Sequence, residues 1–192
     1  MSKIIIVTGY LAAGKSIFAS ELSKTINVPC LIKDNFKTAI CKNYSILNRE
    51  DSSKFSAITF DAMMYMTERI IKTGNPIIIE GNFMPCGVKK VDEAGVIKSL
   101  AEKHNCKTLS YLCTGDINVL YKRFNEREKF TERGVNKLFN DITYEEFADS
   151  CNNLGKFDIG GEIIKIDSTD FSMINFNEYI EKARLFIIKE AF

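Results

Sequence analysis

Four consecutive apolar residues, Ile4-Ile5-Ile6-Val7, run directly into Thr8-Gly9-Tyr10-Leu11-Ala12-Ala13-Gly14-Lys15-Ser16. That junction constrains the fold more than any other stretch. An apolar β-type run followed by Gly-x-x-x-x-Gly-Lys-Ser is the pattern of a phosphate-binding loop between a strand and a helix. Gly9 and Gly14 tolerate torsions and close approaches that a Cβ blocks, so successive N–H groups can converge on phosphate oxygens. Phe18, Leu22 and Ile26 follow at four-residue spacing, which describes a helix whose positive dipole end points at the same anion. The loop, Gly9, Tyr10, Leu11, Ala12, Ala13, Gly14, Lys15 and Ser16, together with Ile17, is therefore expected to hold ATP. Lys15 is expected at the β- and γ-phosphates and the Ser16 hydroxyl on Mg²⁺.

With 192 residues the chain suits one α/β domain, 1–192, better than two. Lys plus Arg number 26 against 25 Asp plus Glu, a net charge of +1, so no global field recruits nucleic acid or an anionic membrane surface. Apolar runs are far shorter than the roughly 20 residues that span a bilayer, and the N-terminus reads as a strand rather than a signal peptide. The six cysteines are dispersed, without a Cys-x-x-Cys pair, as expected of reduced, mostly packed thiols in a cytoplasmic protein. The single histidine, His104, falls at the end of a helical pattern, where it is expected to cap at the surface.

Along the chain, a turn at Asn27 leads into a second short strand ending in Lys33-Asp34-Asn35-Phe36-Lys37. Ligands of open parallel sheets bind at the carboxyl ends of strands, which places Asp34 and Lys37 beside the loop. A helix is expected from about 35 to 40. Over 52–73, Phe55, Ile58, Ala62, Met66 and Ile70 recur at three- and four-residue spacing, predicting an amphipathic helix with those residues inward. Met63, Met64 and Met66 are expected in the core rather than around a pocket. Gly74-Asn75-Pro76 stops this helix, and Ile77-Ile78-Ile79 forms a buried strand delivering Glu80-Gly81-Asn82 to the same edge. A helix within 88–104, with Val91, Val96, Leu100 and Ala101 inward, precedes a fourth strand over 107–114. The next helix, from Ile117 to about 128, carries Arg123 and Arg127 one turn apart on one face. The charged stretch 127–142, with Arg133 and a Gly134 hinge, reads as a short lid. Thr143-Tyr144-Glu145-Glu146 is a capping box opening another helix. A fifth strand, 162–166, ends in Asp167-Ser168-Thr169-Asp170, and an amphipathic helix from 177 closes the chain. Strands alternating with helices five times predict a three-layer α/β/α fold around a five-stranded parallel sheet.

These pieces resemble the small P-loop kinases, the superfamily of nucleoside-monophosphate, shikimate and gluconate kinases, most closely its zeta-toxin and polynucleotide-kinase-like group. The resemblance spans nearly the whole chain and is most specific at Gly9 to Ser16. Next is Asp34-Asn35-Phe36-Lys37, which looks like the Asp-x-x-Arg motif of the polynucleotide kinase group. By that likeness Asp34 receives the proton of the attacking hydroxyl and Lys37 stands where an arginine meets substrate. A lysine there offers a point charge without the planar fork. Glu80 and Asn82 resemble the acidic end of strand three, which orders substrate or Mg²⁺-bound water. Arg123 and Arg127 resemble lid-entry arginines, implying that Arg123 stacks on adenine and Arg127 meets the transferring phosphoryl group. Ile17 replaces the commoner Ser or Thr and removes one contact to the α-phosphate.

The expected activity is transfer of the γ-phosphoryl group of ATP to a hydroxyl of a small-molecule or nucleotide-like acceptor. Lys15, Asp34 and Arg127 are the catalytic candidates. Asp34, Lys37, Glu80, Asn82 and Arg133 face the acceptor, whose binding region is expected within 35–75. A polynucleotide 5′-hydroxyl kinase is the alternative within the superfamily, against which the neutral charge and the absence of an evident basic stripe argue. A nucleotide-dependent switch is the alternative from another class, but Asn136-Lys137-Leu138-Phe139 lacks the final Asp of a guanine-reading motif.

Overall fold

The computed structural model describes residues 2–84, 92–130, 134–136 and 141–188. Strands β1 (Lys3–Gly9), β2 (Cys30–Ile32), β3 (Ile77–Glu80), β4 (Lys107–Thr114) and β5 (Glu162–Asp167) form one sheet in the order β2-β3-β1-β4-β5. Every pairing is parallel. Around it lie helices α1 (Lys15–Ile26), α2 (Lys33–Ile40), α3 (Arg49–Ile71), α4 (Glu93–Lys103), α5 (Ile117–Phe130), α6 (Tyr144–Leu154) and α7 (Phe176–Ile188).

The near-continuous apolar run of β1 is explained by its central place. A strand covered on both faces needs apolar residues at both parities. Ile5 and Val7 pack with α1, α5, α6 and α7 through Phe18, Leu22, Leu120, Phe147 and Ile180. Ile4 and Ile6 pack on the opposite face with α3 and α4 through Phe60, Met63, Ala94 and Ile97. Tyr111 sits at the centre of the first layer, edge-on to Phe18 at 5.1 Å, and its hydroxyl donates to the Tyr179 carbonyl at 2.6 Å. The capping box at Thr143 forms as expected, with reciprocal bonds between Thr143 and Glu146. His104 ends α4 as its C-cap and contacts the Glu68 carboxylate at 2.8 Å.

Two helices present a different face from the one their spacing predicts. In α3 the buried residues are Thr59, Phe60, Met63, Met64, Thr67 and Ile71, while Ile58 and Met66 are exposed. The buried side includes threonines, and Thr59 satisfies its hydroxyl on the Phe55 carbonyl at 2.6 Å, so counting apolar residues alone rotates the stripe. In α4, Ala94, Ile97 and Ala101 are buried and Val96 is exposed; Val91 lies outside the described residues. No helix among the described residues is long and apolar enough to cross a membrane.

Candidate active site

The carboxyl ends of β1, β2 and β3 and the start of α1 converge on one cleft of about 440 Å³. It is lined by loop residues 11–17, by Asp34, Glu80, Gly81 and Asn82, and by Arg123, Arg127 and Phe171. Gly9 lies at the base of the loop with φ +123°, where an added Cβ would stand 2.1 Å from the Cys113 carbonyl oxygen. That closeness lets the Tyr10 N–H donate to the same oxygen at 2.7 Å, tying the loop to β4. Ala12 and Gly14 also take positive φ, 56° and 72°, and the second turns the chain into α1.

Lys15 is buried at 7% exposure, and its ammonium donates to the Tyr10 carbonyl at 2.6 Å, folded back across its own loop. Burial lowers its pKa, while the charge of Glu80 opposes that shift. Glu80, 4% exposed, shows the converse. Burial pushes its carboxyl up to about 7 against the pull of Lys15, the Asp34 charge adds to the rise, and a hydrogen bond from the Ser16 hydroxyl counters it. Burial shifts both groups towards their neutral forms, and each is the other's chief electrostatic compensation. The Ser16 hydroxyl and the Glu80 carboxylate form an oxygen donor set beside the loop, which suits a hard cation such as Mg²⁺. No cluster of three or more His, Cys, Asp or Glu occurs among the described residues. Mg²⁺ commonly takes one or two protein oxygens together with substrate phosphate.

Asp34 is the second residue of α2, whose N-cap is Ile32, so the aspartate stands in the first turn instead of capping it. It is exposed towards the cleft. Of the expected lid, 127–142, Arg127–Phe130 form the last turn of α5, and a 3-10 turn over Gly134–Asn136 lies against Asp34. The Asn136 amide donates to the Asp34 carbonyl at 3.0 Å and to the Thr38 hydroxyl at 3.1 Å. Gly134, the expected hinge, has φ +49°. Arg133 lies outside the described residues.

Lys37 takes another place than the one expected. It is 5% exposed, is not among the residues lining the cleft, and donates to the Ser52 hydroxyl at 2.8 Å. Three residues beyond Asp34 on α2, its side chain falls on the side that packs against α3, so it joins the two helices. Arg123 and Arg127 do share a face of α5 at the cleft. Arg123 donates to the carbonyls of Ser168 and Thr169 at 3.0 and 3.1 Å and to that of Ala12 at 3.4 Å. Its guanidinium thus joins the phosphate loop to the loop after β5. Arg127 lies 5.5 Å over the Phe124 ring and pairs with Glu128 at 3.3 Å.

Phe171 escapes sequence reasoning. Its ring packs on the phosphate loop so closely that a Cβ at Gly14 would meet it at 2.0 Å, and it stacks edge-on to Phe176 at 5.5 Å. The loop that carries it is fixed by Asp167 and Asp170, which accept from Thr169 and Ser172. An isolated aromatic in a polar loop carries no local signal of such a contact.

A Gly-x-x-x-x-Gly-Lys-Ser loop after the central strand of a five-stranded parallel sheet in the order 2-3-1-4-5 marks the three-layer α/β/α fold of solved P-loop kinases. The chain has that fold. A provisionally assigned kinase from Chloroflexus aurantiacus superposes with a TM-score of 0.81 at 21% identity, covering 95% of this chain and 97% of that one. A shikimate kinase from Acinetobacter baumannii, solved with shikimate, gives 0.59 at 10% identity over 98% and 94%. A gluconokinase from Sinorhizobium meliloti gives 0.54 at 12% over 94% and 89%. No protein-family model matches the chain, and no curated protein matches it by sequence.

Proposed function

We propose that this protein is an ATP-dependent phosphotransferase that moves the γ-phosphoryl group to a hydroxyl of a small-molecule or nucleotide-like acceptor. The observation that carries this reading is the convergence of Lys15, Ser16, Asp34, Glu80, Arg123 and Arg127 on a single cleft. A bare phosphate cradle binds a nucleotide, but transfer also needs an acceptor-side carboxylate and a cation for the moving charge.

In this reading the Lys15 ammonium leaves the Tyr10 carbonyl for the β- and γ-phosphate oxygens. Ser16 and Glu80 would hold Mg²⁺, which would supply positive charge to offset that of the phosphoryl group in transfer. Asp34 accepts the acceptor's hydroxyl proton, an effect typically about 10²- to 10⁴-fold. Arg127 faces the phosphoryl group in transit. Arg123 closes the nucleotide side by fixing the 168–169 backbone, with Phe171 as its apolar wall. Asn82 completes the acceptor side. The five described cysteines are free thiols, in keeping with a reducing cytoplasmic setting.

The test is transfer from γ-labelled ATP into pools of metabolites, nucleosides and oligonucleotides, with Lys15→Ala as control. Labelling of a small hydroxyl compound that is lost in Lys15→Ala supports the reading. Labelling confined to oligonucleotide 5′ ends would move it to a polynucleotide kinase. Tight Mg·ATP binding without transfer to any pool would move it to a nucleotide-dependent switch.

A further inference from the structure

Asp34 sits on a helix that has little means of fixing its own position. Helix α2 has eight residues, and its N-cap, Ile32, makes no side-chain capping bond. So short a helix is marginal without tertiary support, and an apolar N-cap adds none. Yet the first turn of α2 must hold a carboxylate to within a fraction of an ångström of an acceptor oxygen if the proposed transfer is to run.

Lys37 ties the later turn of α2 to Ser52 of α3 and Asn136 bonds the Asp34 carbonyl and Thr38; the residue before Asp34 adds a third constraint, at the first turn itself. The Lys33 ammonium forms an ion pair with Glu93 at the start of α4, with side-chain exposures of 12% and 8%. It lies 5.2 Å over the Phe60 ring of α3. Its stem passes Gly81, where an added Cβ would stand 3.2 Å from Lys33 Cβ. One side chain therefore touches α3, α4 and the end of β3, and β3 is the strand that delivers Glu80 to the cleft. A solvent-facing lysine would meet no such set, and a buried ammonium is retained only with a partner that compensates its desolvation. The pair is also incomplete, because Glu93 Oε2 is buried without a hydrogen-bond partner.

We infer that Lys33, through its buried pair with Glu93, is a positioning residue that holds Asp34 in line with the phosphate loop. The inference rests on the reading of Asp34 as the acceptor-side carboxylate. Lys33 itself does not line the cleft and touches no substrate. The unpartnered oxygen sets a further expectation: an arginine at this position can fork onto both Glu93 oxygens while keeping its plane on Phe60.

The experiment uses single-turnover hydrolysis of Mg·ATP, with water as the acceptor, and the affinity for a fluorescent ATP analogue, in the full-length protein. Lys33→Met should lower the hydrolysis rate about 10- to 100-fold, the cost of a misplaced reacting group, with analogue affinity within about threefold of the parent. Lys33→Arg should stay within about threefold of the parent in both measurements. The deciding measurement is the combination with Asp34→Asn: a residue acting through Asp34 adds no further loss once that carboxylate is gone. Additive losses, an unchanged rate in folded Lys33→Met, or a rate loss matched by an equal loss of affinity would each overturn the inference. If Lys33→Met does not unfold cooperatively, Glu93→Gln replaces it under the same criteria, because it keeps the cation and removes only the clamp. Full turnover in Asp34→Asn alone would show that the reading of Asp34 has failed, and the inference with it, whatever Lys33→Met does.

Discussion

The two loop glycines differ in what blocks a side chain, and that difference can be measured. At Gly9 the φ of +123° and the β4 backbone act together: a Cβ would lie 2.1 Å from the Cys113 carbonyl oxygen and 2.7 Å from its nitrogen. Both strands are central, with Gly9 in register with Cys113, so neither can retreat. Gly9→Ala combines torsional strain of about 1–3 kcal/mol with overpacking against a fixed neighbour, about 1–3 kcal/mol. The Tyr10 N–H bond to Cys113 is lost as well, about 1 kcal/mol. A destabilisation of about 3–7 kcal/mol is expected, a large share of a domain's about 5–15 kcal/mol. At Gly14 the φ of +72° is similarly unfavourable, but the obstruction at 2.0 Å is the edge of the Phe171 ring, which is removable. Gly14→Ala should cost about 2–6 kcal/mol, and adding Phe171→Ala should return about 1–3 kcal/mol of it, the overpacking share. In double-mutant cycles from urea unfolding, Phe171→Ala should couple to Gly14→Ala and stay within about 0.5 kcal/mol of additivity with Gly9→Ala. Calorimetric ATP titration should show the same pattern, because the relieved strain lies in the phosphate loop. Equal coupling at both glycines, or none at Gly14, would refute the placement of Phe171 on the loop.

Three other perturbations follow from single interactions. Lys15→Ala should weaken ATP binding by about 30-fold or more, as for a truncated charge pair, and should push the Glu80 carboxyl further up, since Lys15 is its chief electrostatic compensation; an unchanged affinity in calorimetry would count against it. Arg123→Lys keeps the charge but cannot span the Ser168 and Thr169 carbonyls; after discounting for its partial exposure, ATP affinity should fall about 10-fold, and an unchanged affinity would show that the fork does not order the loop. Glu68 accepts from Lys103, His104 and Lys72, which hold its carboxyl down at about 2 from an ordinary 4.5. A depressed carboxylate contributes stability above the unfolded value and loses it as pH falls towards the folded one, so the wild type should lose stability between about pH 4.5 and 2 more steeply than Glu68→Gln. Parallel unfolding curves for the two proteins across that window would rule this out.

The loop side of the cleft was legible because its determinants are local. Gly9 to Ser16 carries its geometry in consecutive residues, and the alternation of apolar runs with amphipathic segments set the order of strands and helices. Strand-end logic also found Asp34 and Glu80, since chain direction in a parallel sheet decides which end of each strand faces the loop. Phase within a helix was less legible. In α3, Thr59 and Thr67 are as buried as Phe60 and Met63; Thr59 hides its polarity by bonding the Phe55 carbonyl, and the Thr67 hydroxyl is buried without a partner among the described residues. No count of apolar residues sees that.

The acceptor side resists reading for a related reason. Lys33 and Lys37 are two basic residues flanking an acidic one at a strand end, and by residue type either could face an anion. What separates them from that role lies far along the chain: Glu93 sits 60 residues from Lys33, and Ser52 sits 15 from Lys37. Each partner turns a lysine from the cleft into a joint between helices, leaving Asp34 between two side chains that fix α2 to α4 and to α3. A charge beside a cleft-lining carboxylate can thus brace the cleft without entering it. The specificity of the cleft then depends on how firmly α2 is held as well as on which residues line it, and substitutions at Glu93 or Ser52 should alter transfer while leaving the nucleotide contacts as they are.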